Sequence, residues 1–251
     1  MTIDYPKTHQ IPELKALWEI AFGDTEEFLT PFFEIAYTPE RCRGIWLEGR
    51  LAAMLYWFPC SCDGQKFAYV YAVATEPEFR GRGLCRQLME DTAEILKAEG
   101  YDGILLYPAT ESLVQMYRKM GFEHCTTVDE FTCEAGTPVR MQTIDFPEYK
   151  LLRRQYLPEG GVVQEGALLE FLAGQATFYK GADFVAVVSE YDGKLHCQEL
   201  LGSRDAAPGI LGALEKNIGF FRMPGVTKSF VMGRPLTGNC VLPWYFGLPL
   251  D

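Results

Sequence analysis

The chain has 251 residues, 48% of them hydrophobic, and 23 Lys plus Arg against 34 Asp plus Glu give it a net charge of −11. This is material for one large or two small folded domains, and it excludes a disordered or fibrous chain. An acidic surface repels phosphate backbones, which argues against nucleic-acid binding and mildly favours encounter with small cations.

In chain order, Ile11, Leu14, Leu17, Trp18, Ala21 and Phe22 recur at helical spacing and predict a helix that stops at Gly23-Asp24. A second helix is expected over 25–37. Strand-like runs at 43–47, 51–58 and 67–75, joined by the turns Glu48-Gly49-Arg50 and Asp63-Gly64, predict an antiparallel meander. The loop Arg80-Gly81-Arg82-Gly83-Leu84-Cys85 then opens a helix with Cys85, Leu88, Met89, Thr92, Ala93 and Leu96 on its apolar face and Gly100 at its end. Residues 103–107 are continuously apolar, as befits a strand covered on both faces. Reaching it from the preceding strand through a helix makes a right-handed parallel crossover. Thr110 caps a last helix over 111–120, ended by Gly121, and a strand at about 123–132 closes the unit.

The small, turn-rich stretch 133–138 reads as a linker, which divides the chain into residues 1–134 and 135–251. Past it the order of elements returns, with helices at 147–155 and 164–175, strands at 184–191 and 194–201, a helix at 207–217 and a strand at 229–233. The halves read as structural repeats of a mixed-sheet α+β fold. The second carries Leu201-Gly202-Ser203-Arg204-Asp205-Ala206-Ala207 in place of the glycine-arginine loop, so it is expected to lack the chemistry of the first.

Eight scattered cysteines without a Cys-x-x-Cys pair or a His cluster predict reduced structural thiols and no metal centre. His9, His124 and His196 have no nucleophile motif beside them, which argues against a His-based triad. No apolar stretch approaches the roughly 20 residues of a spanning helix, and the first six residues lack the features of a secretory signal. A cytoplasmic protein without membrane attachment is expected.

A strand that runs through a glycine loop into a helix gathers free N–H groups and the positive end of the helix dipole at one point, where phosphate binds. Gly81 and Gly83 permit close approach, and Arg80, Arg82 and Arg86 add local positive charge. No Gly-Lys-Ser/Thr follows, so the loop is not a P-loop, and Gln87 and Leu88 stand where a dinucleotide motif needs its third glycine. Taken alone, such a Gly-x-Gly is more often an ordinary tight turn.

The loop resembles the acyl-CoA loop Gln/Arg-x-x-Gly-x-Gly/Ala of the GNAT superfamily of N-acyltransferases, and Val73-Ala74-Thr75-Glu76-Pro77-Glu78-Phe79 is similar to the family's strand and lead-in. A second family mark, a helix ending in Tyr-x-x-x-Gly-Phe, stands 37 residues after Arg80, from Tyr117 to Phe122. The resemblance covers about residues 1–132. It implies a GNAT fold, here duplicated as two lobes, with acetyl-CoA as co-substrate in a cleft between the strands at 67–75 and 103–107. The pyrophosphate would lie on the amides of residues 82–86, including Leu84 and Cys85, and the pantetheine arm beside Val73, Ala74 and Thr75. Thr110, in place of a frequent asparagine, and Tyr117 complete the set lining the cofactor. The acyl group would pass directly to an amine without a covalent enzyme intermediate. Cys85 departs from the family's Gly or Ala, and a thiol little larger than a methyl fits there.

Direct transfer needs two proton movements. The resemblance makes Tyr117 the acid that protonates the departing thiolate, although its spacing with Leu113, Met116 and Met120 is also that of a core residue. The glutamate that some relatives carry before the tyrosine helix is missing, because the strand reads Ile104-Leu105-Leu106-Tyr107. Two carboxylates are candidates for the base. Glu76 ends the cofactor strand and otherwise reads as a solvated loop residue. Asp251 is terminal, as is the base of some two-lobed relatives, and the apolar run before it otherwise reads as an ordinary docked terminus. The expected function is N-acetyl transfer to a small cationic or peptide amine, and the alternative is an acyl-CoA-binding sensor or assembly module. Aminoacyl transfer from charged tRNA would need a basic groove that this composition does not supply.

Overall fold

The computed structural model describes residues 1–191 and 193–249. The elements in chain order are β1 (Thr2–Asp4), α1 (Ile11–Phe22), α2 (Glu26–Pro31), β2 (Cys42–Leu47), β3 (Arg50–Cys62), β4 (Gln65–Thr75), α3 (Leu84–Ala98), β5 (Gly103–Leu106) and α4 (Glu111–Arg118). They continue with β6 (Glu123–His124), β7 (Thr127–Glu134), β8 (Gln142–Ile144), α5 (Phe146–Tyr156), α6 (Ala167–Ala173), β9 (Thr177–Lys180) and β10 (Phe184–Tyr191). The last are β11 (Lys194–Gly202), α7 (Ala206–Ala213), β12 (Ile218–Pro224), β13 (Lys228–Ser229) and β14 (Met232–Pro235). Two seven-stranded mixed sheets result, ordered β1-β2-β3-β4-β5-β14-β6 and β13-β7-β12-β11-β10-β9-β8. The α+β class and the duplication are thus as the sequence predicts, with β3-β4-α3-β5 in one sheet and β10-β11-α7-β12 in the other as equivalent runs.

The chain forms two compact units, neither continuous in sequence. The first is Met1–Glu123, Gly166–Phe171 and Gly233–Leu242, and the second is His124–Glu165, Leu172–Met232 and Pro243–Asp251. A cut at residue 134 assigns β7 to the first half. Instead, β7 pairs antiparallel with β12 along a ladder from Ile218 opposite Glu134 to Pro224 opposite Val128, and that register sets its place in the second unit. The closing strand expected at 123–132 is therefore broken, with two residues in β6 and the rest starting at Thr127.

In the first unit, β2, β3 and β4 form the expected meander. Both two-residue turns, Glu48-Gly49 and Asp63-Gly64, have positive φ throughout, the geometry of a type I′ hairpin. The helix expected over 25–37 is interrupted. Pro31 supplies no N–H to the ladder, and the backbone widens into a π-turn over Phe32–Ala36 that puts the ring of Phe32 4.5 Å from that of Trp18. The Trp18 indole donates to Asp24 Oδ2 at 2.8 Å, closing the end of α1 over this aromatic core. The late segment Gly233–Leu242 is stitched to the start of β4 by Gln65, which donates to Asn239 O at 2.9 Å and accepts from Val241 N at 2.7 Å.

The second unit repeats the pattern with β10 antiparallel to β11, and β11 parallel to β12 across α7. Its interior contains a polar cluster. Glu199, fully buried, accepts from Tyr149 Oη at 2.7 Å, Arg153 Nε at 2.7 Å, Arg153 Nη2 at 2.9 Å and Tyr245 Oη at 3.0 Å. Arg153 Nη1 donates to Val162 O at 3.0 Å, and Val162 N to Tyr245 O at 2.9 Å. Burial alone would lower the affinity of Arg153 for its proton, but the Glu199 carboxylate overrides it and the guanidinium is held charged. Tyr245, Phe246 and Leu248 are buried, so the apolar run near the end of the chain packs into the second unit. Asp251 lies outside the described residues.

Candidate active site

The parallel pairing of β4 with β5 covers Phe67–Val70 against Gly103–Leu106 and stops there, while β4 stays paired to β3 as far as Thr75 opposite Ala53. The register shifts where Met54 and Tyr56 face Ala74 and Tyr71, and Ala72 takes φ +48. This is a β-bulge, which bends the end of β4 away from its parallel neighbour. Val73 and Thr75 are half-buried on this parting stretch, and Ala74 is buried.

Glu76 N donates to Ala52 O at 2.9 Å and holds the corner after β4, with Phe79 buried beneath the following turn. Arg80 Nε donates to Thr75 O at 3.0 Å and Arg82 Nη2 to Glu78 O at 3.2 Å, so two of the three loop arginines fold back onto the loop itself. Gly81 and Gly83 have φ of +77 and +76, a left-handed conformation that only glycine takes without strain. A Cβ at Gly81 would meet nothing within 4 Å, and one at Gly83 only Gln87 Nε2 at 3.9 Å, so the glycines face open space. Gly83 is the N-cap of α3 and no side chain caps it. The N–H groups of Leu84, Cys85 and Arg86 have no carbonyl one turn back; Gln87 finds the first, Gly83 O at 3.1 Å. An open turn with uncapped amides, the positive end of a helix dipole and adjacent guanidinium groups fits a diphosphate.

Tyr117 projects from α4 and is only 5% exposed, with the ring of Phe122 edge-on at 5.7 Å. Burial pushes its phenol well above the usual range, and an electrostatic contribution from Cys85 adds to the effect, so the hydroxyl stays neutral at physiological pH. Burial likewise pushes the Cys85 thiol up to about 11, which opposes a thiolate nucleophile. Thr110 is committed to the helix, its Oγ1 accepting from Leu113 N at 3.3 Å and sharing a 2.9 Å hydrogen bond with Ser112. Arg86 Nη2 donates to Lys119 O at 2.7 Å, a contact between α3 and the end of α4 that the sequence does not announce. Glu76 is half-buried at the end of the parting strand.

The equivalent loop of the second unit is closed. Asp183 O stands 2.1 Å from where a Cβ of Gly202 would be. Ser203 N donates to Asp183 O at 3.1 Å, Ala206 N to Ser203 O at 3.3 Å and Ala207 N to Arg204 O at 3.1 Å. Three amides of this turn are thus bonded to backbone carbonyls, and the turn is packed against Asp183 where the first unit's turn is open. Among the described residues, no three His, Cys, Asp or Glu side chains stand together as metal ligands, and no helix is long and apolar enough to cross a membrane.

Residues 2–125 match the family model for an acetyltransferase (GNAT) domain. No curated protein matches the chain. Among solved structures, a GCN5-related N-acetyltransferase from Anabaena variabilis is 17% identical, with a TM-score of 0.72 over 94% of this chain and 73% of its own. One from Kribbella flavida is 19% identical, with a TM-score of 0.70 over 94% and 72%. One from Sphaerobacter thermophilus is 11% identical, with a TM-score of 0.58 over 96% and 97%. These similarities establish the fold.

Proposed function

Starting from a chain whose residues 2–125 belong to the GNAT acetyltransferase family, we propose that it moves an acetyl group from acetyl-CoA to an amine, on a small cationic acceptor or a peptide. The observation that carries this reading is the open, uncapped turn at Gly81–Gly83 at the start of α3, together with the buried neutral phenol of Tyr117 on α4. Amides of residues 82–86 would hold the donor's diphosphate, and the backbone of Val73, Ala74 and Thr75 its pantetheine arm, leaving the thioester near Tyr117.

An aliphatic amine of pKa about 10.4 is only about 0.04% neutral at pH 7, so a carboxylate must take its proton, directly or through water. Glu76 and Asp251 are the groups we assign to this task. The freed nitrogen pair attacks the thioester carbonyl, and a C–N bond forms. As the tetrahedral adduct collapses, the C–S bond breaks with its electrons going to sulfur, and the Tyr117 hydroxyl gives the thiolate a proton that it recovers from solvent. Thioester and alkylammonium thus yield amide, thiol and one released proton. In this reading catalysis belongs to the first GNAT-like repeat and the second is silent. A cytoplasmic location belongs to the same proposal, since the eight free thiols suit a reducing compartment.

The alternative, a non-catalytic acyl-CoA sensor or assembly module, is favoured by the absence of an acid on β5. A thiol-release assay across a panel of amines separates the two. Saturable release of CoA stimulated by one amine supports transfer, whereas tight acetyl-CoA binding without turnover on any amine replaces it with the sensor.

A further inference from the structure

Arg86 lies in the first turn of α3, where its charge invites a contact with the donor's phosphates, yet its observed partner is a carbonyl. Lys119, whose oxygen it binds at 2.7 Å, is the C-cap of α4, two residues past Tyr117. The last carbonyls of a helix lack intrahelical partners, and a guanidinium suits them by both hydrogen bond and dipole. One turn further along α3, Glu90 takes both Nη atoms of Arg234 at 3.0 and 2.7 Å. The Arg234 stem passes Gly121, its Cδ 3.9 Å from where a Cβ there would stand, and its guanidinium lies 5.9 Å from the centre of the Phe122 ring. Residues 86 and 90 share a helix face, so that face clasps the corner after α4 at two points. That corner in turn holds the tyrosine: Met120 N and Phe122 N both donate to Tyr117 O, at 2.9 and 3.2 Å, and the Phe122 ring packs on the phenol.

We infer that Arg86 is a positioning residue and not a phosphate ligand: with Glu90 and Arg234 it pins the end of α4 to α3 and thereby fixes the position of the Tyr117 phenol. The functional part of this inference rests on the acetyl-transfer reading above. A displacement of about 1 Å at a catalytic group can lower a rate about 100-fold. Arg86→Ala should therefore lower kcat at least about tenfold while KM and Kd for acetyl-CoA stay within about twofold. Arg86→Lys, which can still donate one charged bond to Lys119 O, should recover most of the rate. The same deficit should persist with S-acetyl-N-acetylcysteamine, a thioester donor that has no diphosphate. In the ligand-free protein, Arg86→Ala and Glu90→Gln should each speed hydrogen exchange at the amides of Met120, Gly121 and Phe122. The inference is overturned if Arg86→Ala acts on Kd alone, if its deficit vanishes with the short donor, or if exchange at the corner is unchanged. Absence of turnover in the unaltered protein would instead sink the acetyl-transfer reading, and the exchange measurement would then decide the clasp by itself.

Discussion

Glu199→Ala is the substitution whose cost can be worked most directly from the geometry. The carboxylate is fully buried and accepts four hydrogen bonds, two from Arg153 and one each from Tyr149 and Tyr245. Its removal leaves the Arg153 guanidinium, 2% exposed, with Val162 O as its remaining partner among these bonds. Breaking one side of a buried ion pair costs about 3–5 kcal/mol. Each stranded tyrosine hydroxyl adds about 1–3 kcal/mol, although these terms overlap because water enters the space left behind. A net loss of about 5 kcal/mol is expected, comparable to the lower end of the roughly 5–15 kcal/mol that holds a domain folded. Tyr149→Phe removes one bond to a charged acceptor and should cost about 1.5–3 kcal/mol. Urea unfolding followed by circular dichroism gives both values from the midpoint and slope. A loss below about 1 kcal/mol for Glu199→Ala, or a larger loss for Tyr149→Phe than for Glu199→Ala, would refute the idea that one carboxylate organises this interior.

Three further outcomes are expected. Gly83→Val forces a β-branched residue into φ +76 at the open turn, so acetyl-CoA binding by calorimetry should weaken at least about tenfold, and an unchanged Kd would misplace the diphosphate site. Tyr117→Phe should lower kcat by about 10²–10⁴ with KM for acetyl-CoA within about twofold, and an undiminished rate would reduce the phenol to packing. Burial raises the thiols of Cys42, Cys60 and Cys197 above 9.0 and the phenols of Tyr56, Tyr149 and Tyr245 above 10.0 in the folded protein. The unfolded chain therefore loses those protons first, so the stability is whole below about pH 9 and falls as the pH climbs toward the folded values. Urea midpoints that hold steady from about pH 7 to about pH 10.5 would contradict this.

Much of the first unit was legible because its signals are local. The glycine turns, the apolar face of α3, the loop at Arg80 and the Tyr117 motif each depend on residues within a few positions of one another. β10 at 184–191 is legible for the same reason, since Phe-Val-Ala-Val-Val is a continuous apolar, β-branched run. Strand partnership is another matter. Nothing in Ile-Gly-Phe-Phe-Arg-Met-Pro alternates as an exposed strand does, so β12 went unread, and with it the ladder that draws β7 into the second sheet. The contact of Arg234 with Glu90 joins residues 144 apart, a distance at which hydrophobic period carries no information. The break after α2 was the proline's to announce, but its consequence, a widened turn, depends on where Phe32 can be buried.

The position of β14 between β5 and β6 bears on how this protein is synthesised. When the first 125 residues or so have left the ribosome they carry every element of the acyl-CoA loop, yet β5, buried along its whole length in the finished fold, still shows one bare edge. That edge stays bare until β14 emerges about 110 residues later, an interval of about 5–20 s at ordinary elongation rates. A nascent strand of this kind invites pairing with its neighbours on a polysome, a hazard that a contiguous domain would not present.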